Sequence, residues 1–188
     1  VRTLLLGNIG SPLIDASPMD ALAQLWGGQM PEFASDDDVQ AVANVLLGLW
    51  NRLADHQSSR SPFHLLRPDV VPSRAGLHAF ALMRQQELEG FVDGLFGSAQ
   101  ELSLPEKAHV AVSILAELRS FLAGTVELLA DETKPAPPDE LKGLLRNLQQ
   151  MSLIAEKEIN KAIQSCKRAR GHHLEVMAAM PTSKAVFH

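Results

Sequence analysis

The chain has no tyrosine, one cysteine and an aromatic content of only 5% in 188 residues. A core without large rings must be filled mainly by Leu, Val and Ala, a mixture that favours helix over sheet. The lone Cys166 excludes an internal disulfide framework and leaves no cysteine cluster for structural zinc, as suits a reducing compartment. No apolar run reaches the roughly 18 residues that span a bilayer, so no membrane association is expected. The opening "VRTLLLGNIG" has neither a long apolar h-region nor an A-x-A cleavage site, and a cytoplasmic location is the expectation. The first residue is not Met, which leaves an N-terminal extension or a removed signal peptide open. A net charge of −5 lacks the basic excess of a general nucleic-acid binder. Strand signals are missing too, "DVV" at 69–71 being too short, and there is no P-loop, G-x-S-x-G or H-E-x-x-H.

What remains is a globular composition, 46% hydrophobic and 21% charged, with helical periodicity. The pattern predicts an all-α fold of about five or six helices. One short helix follows Ser17 as N-cap and Pro18 at the first position, and stops at Gly27 and Gly28. A second is capped by Ser35, carries Asp36, Asp37 and Asp38 at its positive end, and repeats Val39, Val42, Val45 or Leu46, Leu49 and Leu53. "HQSSRSP" ends it, and the prolines up to "RPDVVPS" predict a loop. A third helix starts near Ser73 and runs through Leu77, Phe80, Leu88, Phe91, Val92, Leu95 and Phe96. A fourth begins at "SLPEKAHVAV", where Ser103 and Glu106 have capping-box spacing, and reaches about Leu129. An N-terminal bundle over 1–131 is then followed by a proline-rich linker over 132–138, "ETKPAPP". The region 139–188 forms a long amphipathic helix, with Leu141, Leu144 or Leu145, Leu148, Met151, Ala155, Ile159, Ala162, Ile163 and Cys166 on its stripe, and a weakly patterned tail packing onto the same domain.

"LEGFVDGLFG" at 88–97 raises a choice between a phosphate-cradling loop and a bare helix face. A dinucleotide fingerprint needs a feeding strand and G-x-G-x-x-G. Here Gly90, Gly94 and Gly97 are spaced four and three apart inside a helical pattern, which places them on one face. Each glycine weakens a helix by roughly 1 kcal/mol relative to alanine, so their clustering points to a packing need. The expectation is close helix packing at Gly90 and Gly94, flanked by Phe91, with Gly97 either on that face or acting as C-cap.

Two stretches together resemble the YecA/YgfB family of bacterial helical proteins. The first is Pro18, Trp26-Gly27-Gly28, Pro31-Glu32-Phe33, Asp36 to Asp38 and the helix from Val39 onward; the second is Gly90, Phe91 and Gly94. "FHLLRPD" occupies the place of the family's short Phe-containing segment, and the resemblance covers residues 11–97. It implies an all-α fold and a bacterial cytoplasmic protein, with no chemistry attached to particular residues. The cysteine-rich zinc-binding tail of some members has no counterpart here.

Other candidate sites have plain structural readings. Three adjacent carboxylates at 36–38 point about 100° apart on a helix and cannot converge on a cation. Lys167, Arg168 and Arg170 of "KRARGHH" suit the negative end of the long helix, or alternatively a contact with an acidic partner or nucleic acid. His172 and His173 with Glu175 are a weak chelating pattern; His56, His64, His78 and His109 are scattered; Cys166 lies on an apolar stripe. Trp26 and Trp50 read as core anchors. No catalytic, cofactor or metal residues are assigned, and an enzyme is not the expected class. The expectation is an adaptor or protein-interaction module, homodimeric and possessing an unidentified protein partner. Its alternatives are a nucleic-acid-associated regulator using "KRAR" and an enzyme with an unrecognised helical site.

Overall fold

The computed structural model describes residues 1–14, 16–28, 31–97, 99 and 101–179. Six α-helices follow one another: α1 (Arg2–Gly10), α2 (Pro18–Gln24), α3 (Asp36–Ala54), α4 (Arg74–Phe96), α5 (Glu106–Ala130) and α6 (Pro138–Ala179). A 3-10 turn, Asp55–Gln57, follows α3, and the described residues contain no strand. No helix among them is long and apolar enough to cross a membrane.

The helix ends have local causes. Ser35 Oγ accepts the Asp38 N–H at the start of α3, and Ser73 Oγ accepts the Gly76 N–H at the start of α4. Gly27 and Gly28 take φ of 69° and 93° after α2, and Gly97 ends α4 at φ 60°, its N–H bonded to the Asp93 carbonyl. Gly97 is therefore a C-cap and leaves the glycine face to the other two.

Three boundaries depart from the sequence pattern. The Ser103–Glu106 box does not form: Pro105 is the N-cap of α5 and makes no side-chain cap bond, while its fixed φ presets the first turn. Pro138 is the first residue of α6 rather than the last of the linker, because proline's missing N–H costs nothing at that position. α6 also runs through "KRAR" and Gly171 to Ala179, so those cations sit inside the helix and not at its negative end. The rest of the expected tail, 180–188, lies outside the described residues.

The largest difference is α1, which the sequence pattern did not announce. Thr3, Leu5, Leu6, Gly7, Asn8, Ile9 and Gly10 are all buried. A helix covered on every side carries no amphipathic stripe, and two glycines lower its propensity further. α1 forms because its neighbours enclose it. α4 lies alongside, with Gly90 opposite Thr3 and Leu4, and Gly94 opposite Leu4 and Asn8. α6 closes another side, Ile163 meeting Gly10. α4, α5 and α6 form the remaining layer. The start of α4 is tied to the end of α5 by Arg74, whose Nη1 donates to the carbonyls of Leu129 (3.1 Å) and Asp131 (2.9 Å). The enclosed core joins Leu5, Leu6, Leu77, Leu88, Phe91, Leu95, Leu115, Leu148, Ile159 and Ile163.

Candidate interaction surface

Phe91 and Gly94 are buried and Gly90 is partly buried. A β-carbon on Gly94 would run into the Leu4 carbonyl oxygen, with the Leu4 carbonyl carbon at 2.8 Å and the Asn8 nitrogen at 3.0 Å. A β-carbon on Gly7, across the seam, would meet the Phe91 carbonyl oxygen and lie 2.7 Å from the Leu95 nitrogen. At Gly90 the fit is looser, the nearest atom being Thr3 Oγ1 at 3.1 Å. Two backbones thus touch where side chains would normally separate them, and the Phe91 side chain is fully buried. Gly7 is the partner that the sequence pattern missed; with no periodicity around it, only its glycine identity hinted at a close approach.

The three cations of "KRAR" part company. Arg170 Nη1 donates to the carbonyls of Ile9 (3.2 Å) and Ser11 (3.0 Å), and its Nη2 donates to Gln57 Oε1 (2.9 Å). It satisfies carbonyls at the end of α1 that the helix itself leaves open. Lys167 Nζ donates to the Gln57 carbonyl at 3.2 Å. Both side chains tie α6 to the rest of the fold. Arg168 instead lines a shallow cleft with Lys157, Lys161, His64 and Asn160.

That cleft lies where an extended strap crosses α6. Phe63 and Leu65 of the strap are buried, alternating with exposed His64 and Leu66. Asn160 acts as a substitute strand: its Oδ1 accepts the Phe63 N–H (2.8 Å) and its Nδ2 donates to the Phe63 carbonyl (2.9 Å). His64 Nδ1 and Arg67 Nη2 lie 3.0 Å and 3.5 Å from Glu156 Oε2. Arg84, only 2% exposed, binds Ser152 Oγ at 2.8 Å, the Glu87 carboxylate and the Leu66 carbonyl. Every polar group in this row has a structural partner, so the row fastens the strap. A cavity of about 210 Å³ beside Arg84 and Phe80 is bounded by the same residues.

Among the described residues, the titratable side chains that meet near the strap, His64 and Arg67 with Glu156 and Arg84 with Glu87, are the ones that fasten it. Cys166 is fully buried and its thiol is pushed up to about 11 by burial, with Arg170 acting in the opposite sense. A thiol so held is a poor nucleophile. Among the described residues no group of three or more His, Cys, Asp or Glu could hold a metal ion.

α3 is different in kind. It is 19 residues long and apolar on several sides, yet Leu53 is its only buried residue. Val45 is 68% exposed, and Val39 and Leu47 are also exposed. Leu46, Leu49 and Trp50 reach the core only partly. Val42, Val45 and Leu46 line an apolar cleft of about 470 Å³ together with Ala41, Leu25, Trp26 and Val1. Trp26, packed edge-on to Phe33 with ring centroids 6.3 Å apart, forms its wall and is partly buried. Contiguous apolar surface of this kind marks an interaction site on a folded protein.

Comparison with family models, curated proteins and solved structures gives no match for this chain.

Proposed function

We propose that the protein is a non-enzymatic protein-interaction module of adaptor type, and that the α2–α3 face is the surface it offers. One observation carries this reading: α3 buries only Leu53 along its whole length and lines an apolar cleft with Ala41, Val42, Val45 and Leu46, whereas α4, α5 and α6 each bury a row of residues in the core. Holding such a face in water forgoes about 25 cal/mol for each Å² of apolar surface, a loss that a partner recovers. Membership of the YecA/YgfB family belongs to the same proposal, supported by the helical architecture and by the quoted residues over 11–97.

The nucleic-acid reading has less to stand on. Lys167 and Arg170 are engaged with backbone and side-chain oxygens, which leaves Arg168 from the original trio. The test of the main reading is a photo-crosslinking side chain placed at Val45, with Glu132 as an exposed control, in the native host. A discrete protein adduct from position 45 and not from 132 is the expected result; no adduct from 45 overturns the reading.

A further inference from the structure

The uncovered face of α3 has a symmetry in its charges. Asp38, Ala41, Val45, Gly48 and Arg52 follow each other at spacings of three and four, so they form a single stripe along the helix. Ala41, Val45 and Arg52 are exposed, as is Asp38, and no atom comes within 4 Å of where a β-carbon on Gly48 would stand. The middle of the stripe is therefore small and apolar, with bare backbone open to the outside.

Its two ends carry opposite signs at equal distances. Asp38 and Arg52 each lie seven positions from Val45, about 10 Å along the axis on either side. Asp36 and Asp37 reinforce the acidic end, and Arg52 makes no ion pair among the described residues. A second α3 laid antiparallel across the first, with the two-fold axis at Val45, sets each acidic end against the other copy's Arg52. A two-fold interface requires this self-complementarity, because residue i meets residue j and j meets i. A parallel arrangement would place acid against acid and base against base.

We propose that the occupant of this face is a second copy of the chain, paired antiparallel through α3, with Val45 and Gly48 at the contact and Asp38 meeting Arg52 of the other copy at each end. Gly48 lets the second helix come close, and the apolar cleft beside Val42 and Leu46 receives side chains from the other copy. The inference rests on reading α3 as an interaction surface and names the partner for it.

Sedimentation velocity over a concentration series tests this with the wild-type chain, Asp38→Lys, Arg52→Glu, and an equimolar mixture of the two variants. In Asp38→Lys the N–H of residue 38 can still donate to Ser35 Oγ, while the bond from Ser35 Oγ to the Asp38 carboxylate (2.8 Å) is lost. The wild type is expected to dimerise, and each single reversal to raise the dissociation constant at least about tenfold, since two attractive contacts become repulsive. The mixture is expected to return to the wild-type profile, because both end contacts again join opposite charges. Recovery on mixing also establishes that both variants are folded. A monomeric wild type, a dimer indifferent to the reversals, or a mixture that stays dissociated overturns the pairing. The crosslink at Val45 separates the two levels. An adduct with a different protein removes self-pairing and keeps the interaction reading, whereas no adduct removes both.

Discussion

Replacing Gly94 by alanine adds one methyl group at the tightest point of the α1–α4 seam. In an open helix that change would stabilise the chain by about 1 kcal/mol, because glycine is the poorer helix former. Here the methyl meets the Leu4 carbonyl group and the Asn8 nitrogen, all main-chain atoms of an enclosed helix that cannot turn aside. Overpacking in a dense core costs about 1–3 kcal/mol, and contact with backbone belongs at or beyond the upper end. The net expectation is a loss of about 2 kcal/mol or more. With a slope near 2 kcal/mol per molar in urea, the midpoint falls by about 1 M. Two other substitutions calibrate the result. Gly124→Ala, with no atom within 4 Å, should raise the midpoint. Gly90→Ala, whose nearest neighbour is a hydroxyl at 3.1 Å, should fall between them. If Gly94→Ala proved as stable as Gly124→Ala, the seam would not be the close backbone contact on which the fold is argued.

Four further outcomes follow from named contacts. Asn160→Ala strands the N–H and carbonyl of Phe63, and should cost about 1–3 kcal/mol in chemical denaturation while raising protease cleavage in the strap. Arg84→Ala leaves the Glu87 carboxylate and the Leu66 carbonyl without their donor; a loss of about 3 kcal/mol or more is expected, with Arg84→Lys recovering only part because it cannot fork. Cys166 gives an alkaline signature: its folded thiol is raised from 9.0 to about 11, so the unfolded chain ionises first and stability is lost as pH climbs from about 9 to about 11. Cys166→Ala should flatten that limb in unfolding curves, and the wild-type thiol should stay unreactive to a disulfide reagent until the chain unfolds. Arg170→Ala uncaps the carbonyls of Ile9 and Ser11 and should lower the urea midpoint, whereas Arg168→Ala should leave it unchanged.

The long helices were legible because their signals are local. Ser35 and Ser73 announce their own starts, and the stripe from Leu148 to Cys166 repeats at helical spacing and is buried where that spacing puts it. α1 was illegible for the converse reason: being covered on all sides, it has no polar face to set the period. The glycines of α4 pointed to a close approach but could not say to what, since Gly7 is more than eighty positions away and shows no pattern of its own. The basic segment misled because charge alone does not reveal whether a side chain meets solvent or a carbonyl. Arg170 meets the end of α1, and that contact exists only once the chain has folded. The uncovered face of α3 was hidden for a related reason. Its valines and leucines read as core from their spacing, and only the arrangement of the other helices shows which of them remain outside.

Hydrogen exchange followed by mass spectrometry at two protein concentrations tests the central claim most directly. Peptides from α1 and α4 should be strongly protected at both concentrations, and peptides covering 36–54 should gain protection only when the protein is concentrated. Equal protection of α3 at both concentrations, or rapid exchange in α1, would contradict it.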